Sequence, residues 1–341
     1  MNVTVVGAGS WGTAVASLAG TSHEVRLWAR RPAVADAINE RGENPDYLVG
    51  HRLTAGVTAT TNLADAVAHG DVLVWAVPSH GYRTVLEQAA EHIDPATPII
   101  SLSKGIEEGS LMRMTEVTAD VLADHDTGRI GVLTGPNLAS EIAAGQPAAT
   151  VIALPDQAVA RELQEVFMGP AFRVYTNTDL IGAESAGALK NVMAIAAGMA
   201  SGLGFGDNTL ATLITRALAE LTRLGVALGG RPRTFAGLAG TGDLIATCVS
   251  SRSRNHRVGF GLGQGKALAD IIAEMNMVAE GVKSTRGILA IGERESIEMP
   301  IAEQVGRVLY EGAAPAEAVA NLMTRRARSE HDEDGNPSGS L

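Results

Sequence analysis

A short apolar run, Val3-Thr4-Val5-Val6, passes directly into Gly7-Ala8-Gly9-Ser10-Trp11-Gly12 and then into an Ala- and Val-rich stretch. Few folds accept this pattern. Gly7 permits a tight turn, Gly9 lets a pyrophosphate come close to the backbone, and Gly12 lets the following helix lie against the strand, while the helix N-terminus offers N–H groups to phosphate. Three glycines alone would be satisfied by an ordinary turn. The strand before them, the helix after them and a second strand over Glu24-Val25-Arg26-Leu27-Trp28 complete the unit that a dinucleotide site requires.

The end of that second strand bears on the choice of cofactor. An NAD site commonly carries Asp or Glu about 20 residues past the glycines to bind the ribose 2′-hydroxyl, whereas Arg there accommodates a 2′-phosphate. This chain has Arg30-Arg31-Pro32 and no acidic residue at the strand end. NADP(H) is therefore the expected preference, with NAD(H) also accepted; the plain alternative is two solvated arginines opening a helix.

A length of 341 residues exceeds what a single core usually serves, so two domains are expected. Further strands are predicted at Val72 to Val77, Pro98 to Ser101, Ile130 to Leu133 and Ala149 to Ala153, and helices at Asn62 to His69, with Asn62 as N-cap, and Gly81 to His92. Short continuous apolar runs suit a parallel sheet buried on both faces. The fold class read from this pattern is an α/β N-terminal doubly wound, Rossmann-type domain with an all-α C-terminal domain. The boundaries are residues 1–180 for the dinucleotide-binding domain and 181–325 for the helical domain. The polar tail, 326–341, is expected to be disordered. Helices are predicted at Ile181 to Met199, a stretch dense in small residues, and at Asn208 to Gly225, Gly281 to Gly292, Ala302 to Tyr310 and Pro315 to Met323.

Composition narrows the function classes. No charge-free apolar run reaches membrane-spanning length, and Met1 leads into a strand without a basic segment and cleavage site, so neither a membrane span nor a leader is expected. The lone Cys248 cannot form an internal disulfide, which fits a cytoplasmic location. A formal net charge of −11 argues against nucleic acid as a partner, and eight scattered histidines show no metal-ligand spacing.

Chemistry-bearing segments gather at the predicted strand ends. Val77-Pro78-Ser79-His80, Ser101-Leu102-Ser103-Lys104-Gly105 and Thr134-Gly135-Pro136-Asn137-Leu138-Ala139-Ser140-Glu141 put small polar residues where backbone meets a ligand. Turn chemistry explains any one of them, whereas three together favour a shared cleft. In the second half, Gly237 to Leu244 and Ser250 to Arg257 interrupt the helical pattern, and hydroxyls, an amide and guanidinium groups together suit a phosphate. A solvated basic loop is the plainer reading for Arg252 and Arg257. Lys190 sits among Ala188, Leu189, Val192 and Met193, and a lysine at an apolar surface has its pKa lowered towards a value useful for proton transfer.

These segments, in this order, resemble the bacterial type of NAD(P)-dependent glycerol-3-phosphate dehydrogenase over roughly Val3 to Met323. The resemblance is carried by Gly7 to Ala14, Val77 to His80, Ser103-Lys104-Gly105, Gly135-Pro136-Asn137, Leu189-Lys190-Asn191, Gly237 to Thr247, Ser253-Arg254-Asn255 and Val278 to Val282. It implies reversible hydride transfer between NAD(P)H and dihydroxyacetone phosphate, giving sn-glycerol 3-phosphate for phospholipid synthesis, in a homodimer. It also implies Lys190 as the proton-transfer residue. The substrate contacts would be Lys104, Gly135, Asn137, Lys190, Asp243, Ser253, Arg254 and Asn255. Ser10, Trp11, Arg30, Arg31, Lys104, Ala139, Arg254, Val278 and Glu280 would join the glycines at the cofactor. Asp243 would favour the charged form of Lys190, opposed by Lys104 and desolvation, and sequence alone leaves that balance open. Two alternatives also stand: a reductase of another small phosphorylated or carboxylated hydroxy compound, and a cofactor sensor without turnover.

Overall fold

The computed structural model describes residues 1–275 and 279–327. Its N-terminal half is built on one eight-stranded sheet in the order β3-β2-β1-β4-β5-β6-β7-β8. The strands are β1 (Asn2–Val6), β2 (Glu24–Trp28), β3 (Val57–Thr60), β4 (Val72–Trp75), β5 (Ile99–Ser101), β6 (Ile130–Thr134), β7 (Ala148–Ala153) and β8 (Phe172–Asn177). Strands β1 to β6 pair in parallel. The all-parallel expectation fails at β7, which runs antiparallel to β6, and β8 then follows β7 in parallel. The link from β6 to β7 holds only a five-residue helix, α6 (Ala139–Ala143), too short to carry the chain back along a whole strand. Strands β3 and β8 form the two edges, where half-polar sequences such as Val57-Thr58-Ala59-Thr60 are tolerated.

Helices α1 (Ser10–Ala19), α2 (Pro32–Arg41) and α7 (Gln157–Phe167) cover one face of this sheet, packing on Val3, Val5 and Ile152. The other face holds α3 (Leu63–His69), α4 (Ser79–Ala89) and α5 (Met114–Val121) against Val6, Leu73 and Trp75. Asn62 does cap α3, its side chain accepting from Asp65 N at 3.3 Å. Because β1 pairs with β2 on one side and β4 on the other, the strand order reverses there, and the β1, β4, β5 and β6 loops open along one edge.

From Leu180 the chain is helical: α8 (Leu180–Gly202), α9 (Asp207–Ala227), α10 (Pro232–Phe235), α11 (Asp243–Val249), α12 (Arg254–Gly263), α13 (Leu268–Ala273), α14 (Glu280–Arg294), α15 (Pro300–Tyr310) and α16 (Pro315–Met323). Every residue of α8 from Gly182 to Ala200 is buried, so the other helices are arranged around it. The small residues read from the sequence have the expected consequence. A Cβ on Gly259 of α12 would fall 1.9 Å from the Ile195 carbonyl oxygen, and one on Gly198 of α8 would fall 2.1 Å from that of His256. The two helices therefore touch backbone to backbone. Among the described residues, no helix is long and apolar enough to cross a membrane. Most of the predicted tail, from residue 328 onward, lies outside the described residues, as does Val278.

Candidate active site

The β1–α1 turn has the shape its glycines demand. Gly7 sits at φ +116°, where a side chain would also meet the Ala76 carbonyl oxygen at 2.7 Å. A Cβ on Gly12 would lie 2.0 Å from the Gly7 oxygen. Gly9 differs, because among the described residues nothing lies within 4 Å of where its Cβ would point, and no side chain caps the N-terminus of α1. That open space beside the Ser10, Trp11 and Gly12 amides fits a pyrophosphate. The Trp11 indole packs towards Phe172, with ring centroids 6.4 Å apart, and its Nε1 is buried without a partner among the described residues. At the end of β2, Arg30 and Arg31 are both exposed. Arg31 forms an ion pair with Asp46, whereas Arg30 forms none among the described residues.

Across the β5 and β6 loops lies a charged cluster drawn from four elements. Lys190, on α8, is 6% exposed and donates to Asp243 Oδ1 at 2.6 Å and to the Thr247 hydroxyl. Lys104 donates to the other Asp243 oxygen, Oδ2, at 2.6 Å and to the Gly135 carbonyl at 3.1 Å. Two ammonium groups thus share one carboxylate. A single π-helical turn over Leu238–Gly242 feeds Asp243 into the first position of α11. There the helix dipole also favours a carboxylate. Burial pulls the Lys190 pKa down to about 8, against the opposing pull of Asp243 and with help from Lys104. Desolvation therefore wins the balance that sequence left open. Cys248, buried behind the same lysine, is pushed up to about 12 by burial and carries no thiolate chemistry at neutral pH.

The Ser253-Arg254-Asn255 segment proves to be the start of α12 rather than a basic loop. Ser253 is its N-cap, the hydroxyl accepting from His256 N at 3.3 Å. Arg254 stands exposed at the rim, yet the protein around it lowers its pKa by desolvation, opposed by Glu280 and Tyr47. Asn255 is buried and committed to structure. Its amide donates to Asn191 Oδ1 at 2.9 Å and its oxygen accepts from Gly281 N at 2.9 Å. Asn191 in turn donates to the Lys104 carbonyl at 3.2 Å, so one amide chain ties the β5 loop, α8, α12 and α14 together. Glu280 opens α14 and accepts from the Ser79 hydroxyl, at the start of α4, at 2.5 Å.

Asn137 donates to the Thr150 hydroxyl at 3.0 Å, and its own oxygen is buried with no partner among the described residues. Ala139 is the first residue of α6, which packs against α1 beside the glycine turn. Arg252 is exposed and pairs with Glu141 at 3.2 Å, and Arg257 is exposed, as the plainer reading of both expects. Ser79, Asn191 and Thr247 stand in segments that the sequence singles out, but no role is assigned to them there; the structure makes them partners of Glu280, of Lys104 and Asn255, and of Lys190 respectively. Asn191 follows Lys190 directly, and Thr247 stands four residues past Asp243 on α11, a spacing that places both on one helical face.

A doubly wound sheet with an open glycine cradle, joined to a helical half that supplies a buried lysine, is the plan of a nicotinamide-dependent dehydrogenase. Residues 2–160 match the family of the NAD-dependent glycerol-3-phosphate dehydrogenase N-terminus, and residues 179–320 match that of its C-terminus. A Sphingopyxis alaskensis protein named glycerol-3-phosphate dehydrogenase [NAD(P)+] 2 is 55% identical over 89% of this chain and 91% of its own. The Thermobifida fusca glycerol-3-phosphate dehydrogenase [NAD(P)+] is 52% identical over 96% and 98%. The crystal structure of glycerol-3-phosphate dehydrogenase from Coxiella burnetii superposes with a TM-score of 0.90 at 37% identity, covering 95% of this chain and 99% of that one. The chain belongs to the NAD-dependent glycerol-3-phosphate dehydrogenase family.

Proposed function

We propose that this enzyme reversibly reduces dihydroxyacetone phosphate to sn-glycerol 3-phosphate, a precursor for phospholipid synthesis. The observation that carries the proposal is the buried Lys190–Asp243–Lys104 cluster, built on the same edge of the sheet as the glycine cradle. In this reading residues 1–180 hold the cofactor and 181–325 complete the substrate site. The cofactor, once bound, supplies the hydride to the ketone carbon. Negative charge then appears on the former carbonyl oxygen. Lys190 stabilises that charge and donates its proton to the oxygen, while Asp243 holds the ammonium in place. Lys104 adds a second positive charge to the same pocket. Arg254 anchors the substrate phosphate with charge-assisted hydrogen bonds, with Ser253, Asn255, Gly135 and Asn137 shaping the pocket around it. A cofactor sensor would have no use for a lysine buried at such cost. Purified protein mixed with dihydroxyacetone phosphate should oxidise NADPH; no oxidation of NADPH or NADH would refute the assignment.

A Lys190 pKa of about 8 gives the two directions opposite pH profiles. Reduction needs the ammonium form, so its rate falls as pH rises through about 8, while oxidation of glycerol 3-phosphate needs the neutral amine and rises over the same interval. Initial rates in both directions across pH 6.5–9.5 would test this (about 1.5 units either side of the transition). Profiles sloping the same way would remove Lys190 from proton transfer.

The cofactor preference extends the proposal to the end of β2. Arg30, which has no ion-pair partner among the described residues, and Arg31 meet the 2′-phosphate, so the enzyme prefers NADP(H) and also accepts NAD(H). Arg30→Asp should raise the KM for NADPH about tenfold more than that for NADH, since one charge-assisted contact is lost and a repulsion is gained. Equal changes would place the arginines in solvent. The same reading locates the enzyme in the cytoplasm as a homodimer, which sedimentation of the purified protein would check.

A further inference from the structure

The glycine turn is gripped from outside its own strand and helix. Helix α2 ends at Gly42, which caps it at φ +66°, and the chain then makes a closed loop over 43–52, pinned by an antiparallel bridge between Glu43 and Arg52. Asn44 points inward from this loop and is 1% exposed. Its amide nitrogen donates to the Ala8 carbonyl, inside the Gly7–Gly12 turn, at 2.9 Å and to the Thr13 hydroxyl of α1 at 2.9 Å. Its oxygen accepts from the backbone N–H groups of Asp46 and Tyr47 at 3.2 and 3.1 Å. Both amide protons and the carbonyl are used, so one buried side chain joins the fold of the loop to the position of the turn.

We propose that Asn44 is a positioning residue for the cofactor: it fixes the Ala8 peptide so that the amides at the start of α1 stay aimed at the pyrophosphate. Ala8 lies between two glycines, the most freely rotating backbone in the turn, and the Asn44 amide is the outside donor that fixes the orientation of its carbonyl. Holding it in advance removes an ordering cost from binding. The pyrophosphate is common to both nicotinamide dinucleotides. Asn44 therefore acts on NADPH and NADH alike, unlike the arginines at the end of β2. The same loop carries Asp46, the partner of Arg31, so an ordered loop also supports that side of the site.

The inference rests on the dinucleotide reading, and the test is therefore a binding titration that needs no turnover. NADPH and NADH are each titrated into wild type, Asn44→Ser and Thr13→Val, with tryptophan fluorescence as the signal and thermal melting as the control. Serine still accepts from the N–H groups two and three residues on, preserving the loop turn, but is too short to reach Ala8. Asn44→Ser should raise Kd for both cofactors by the same factor, about tenfold, with kcat at saturating cofactor and the KM for dihydroxyacetone phosphate retained. Thr13→Val is nearly isosteric and removes only one of the two anchors, so it should give a smaller rise with the same equality. Folded variants with both Kd values within twofold of wild type would overturn the proposal. So would a loss confined to NADPH, or a lowered melting temperature with unchanged binding. A wild-type chain that turns over nothing yet binds both cofactors would sink the dehydrogenase reading and leave Asn44 testable; one that binds neither would sink both.

Discussion

Lys190→Met is expected to leave the protein folded and able to bind NADPH while turnover falls by at least two orders of magnitude. Methionine keeps the apolar stem that α8 buries and removes the ammonium and its proton. Asp243 remains paired through Lys104, with 2.6 Å between them, so no carboxylate is stranded in the interior. General acid help is typically worth about 10²–10⁴-fold and an electrostatic stabiliser about 10²–10³-fold. A lysine serving only as packing would change stability slightly and turnover hardly at all. Steady-state turnover, with NADPH binding by fluorescence and folding by circular dichroism, separates the two: a folded, cofactor-binding variant keeping more than about a tenth of normal turnover contradicts the role.

The second large effect is expected at Arg254. Removing its guanidinium by Arg254→Ala should raise the KM for dihydroxyacetone phosphate about ten- to hundredfold, the equivalent of about 1.5–3 kcal/mol for a hydrogen bond to a charged group. The fold should tolerate the change, because the residue is exposed and the α12 cap belongs to Ser253. NADPH affinity should fall to a lesser degree, through Arg254's proximity to Glu280. An unchanged KM for both ligands would make Arg254 an ordinary surface residue.

Much of this organisation can be read from local sequence, for identifiable reasons. The buried strands β1, β4 and β6 announce themselves as apolar runs, and the glycines after β1 have a single reasonable explanation. The edge strands β3 and β8 do not, because a strand with one open side needs no such run. Helix α12 also escapes notice: Gly259, Gly261 and Gly263 read as helix breakers. In the structure Gly259 and Gly263 stand where any Cβ would collide with the α8 backbone. Propensity describes a helix in water, and this one is selected by contact. Lys190 was conspicuous because its neighbours offer no polar surface. Its partners were less so, since Asp243 lies 53 residues further on and 139 residues beyond Lys104. Only the fold brings such separations to hydrogen-bonding distance, which is why Asn191 and Thr247 stand in conspicuous segments yet receive their roles from the structure.

The backbone contact between α8 and α12 bears on selectivity. Lys190 rides on one of these helices and Arg254 on the other, and where Gly198 and Gly259 cross no side-chain layer separates the two to compress or swell. On the proposed roles, with the lysine at the carbonyl end of the substrate and the arginine at its phosphate end, the pair would act as a caliper whose jaws are set by main chain. Its opening would be a length, and on that reading the enzyme is expected to sort phosphorylated ketones by the number of carbons between the two groups rather than by the chemistry of either.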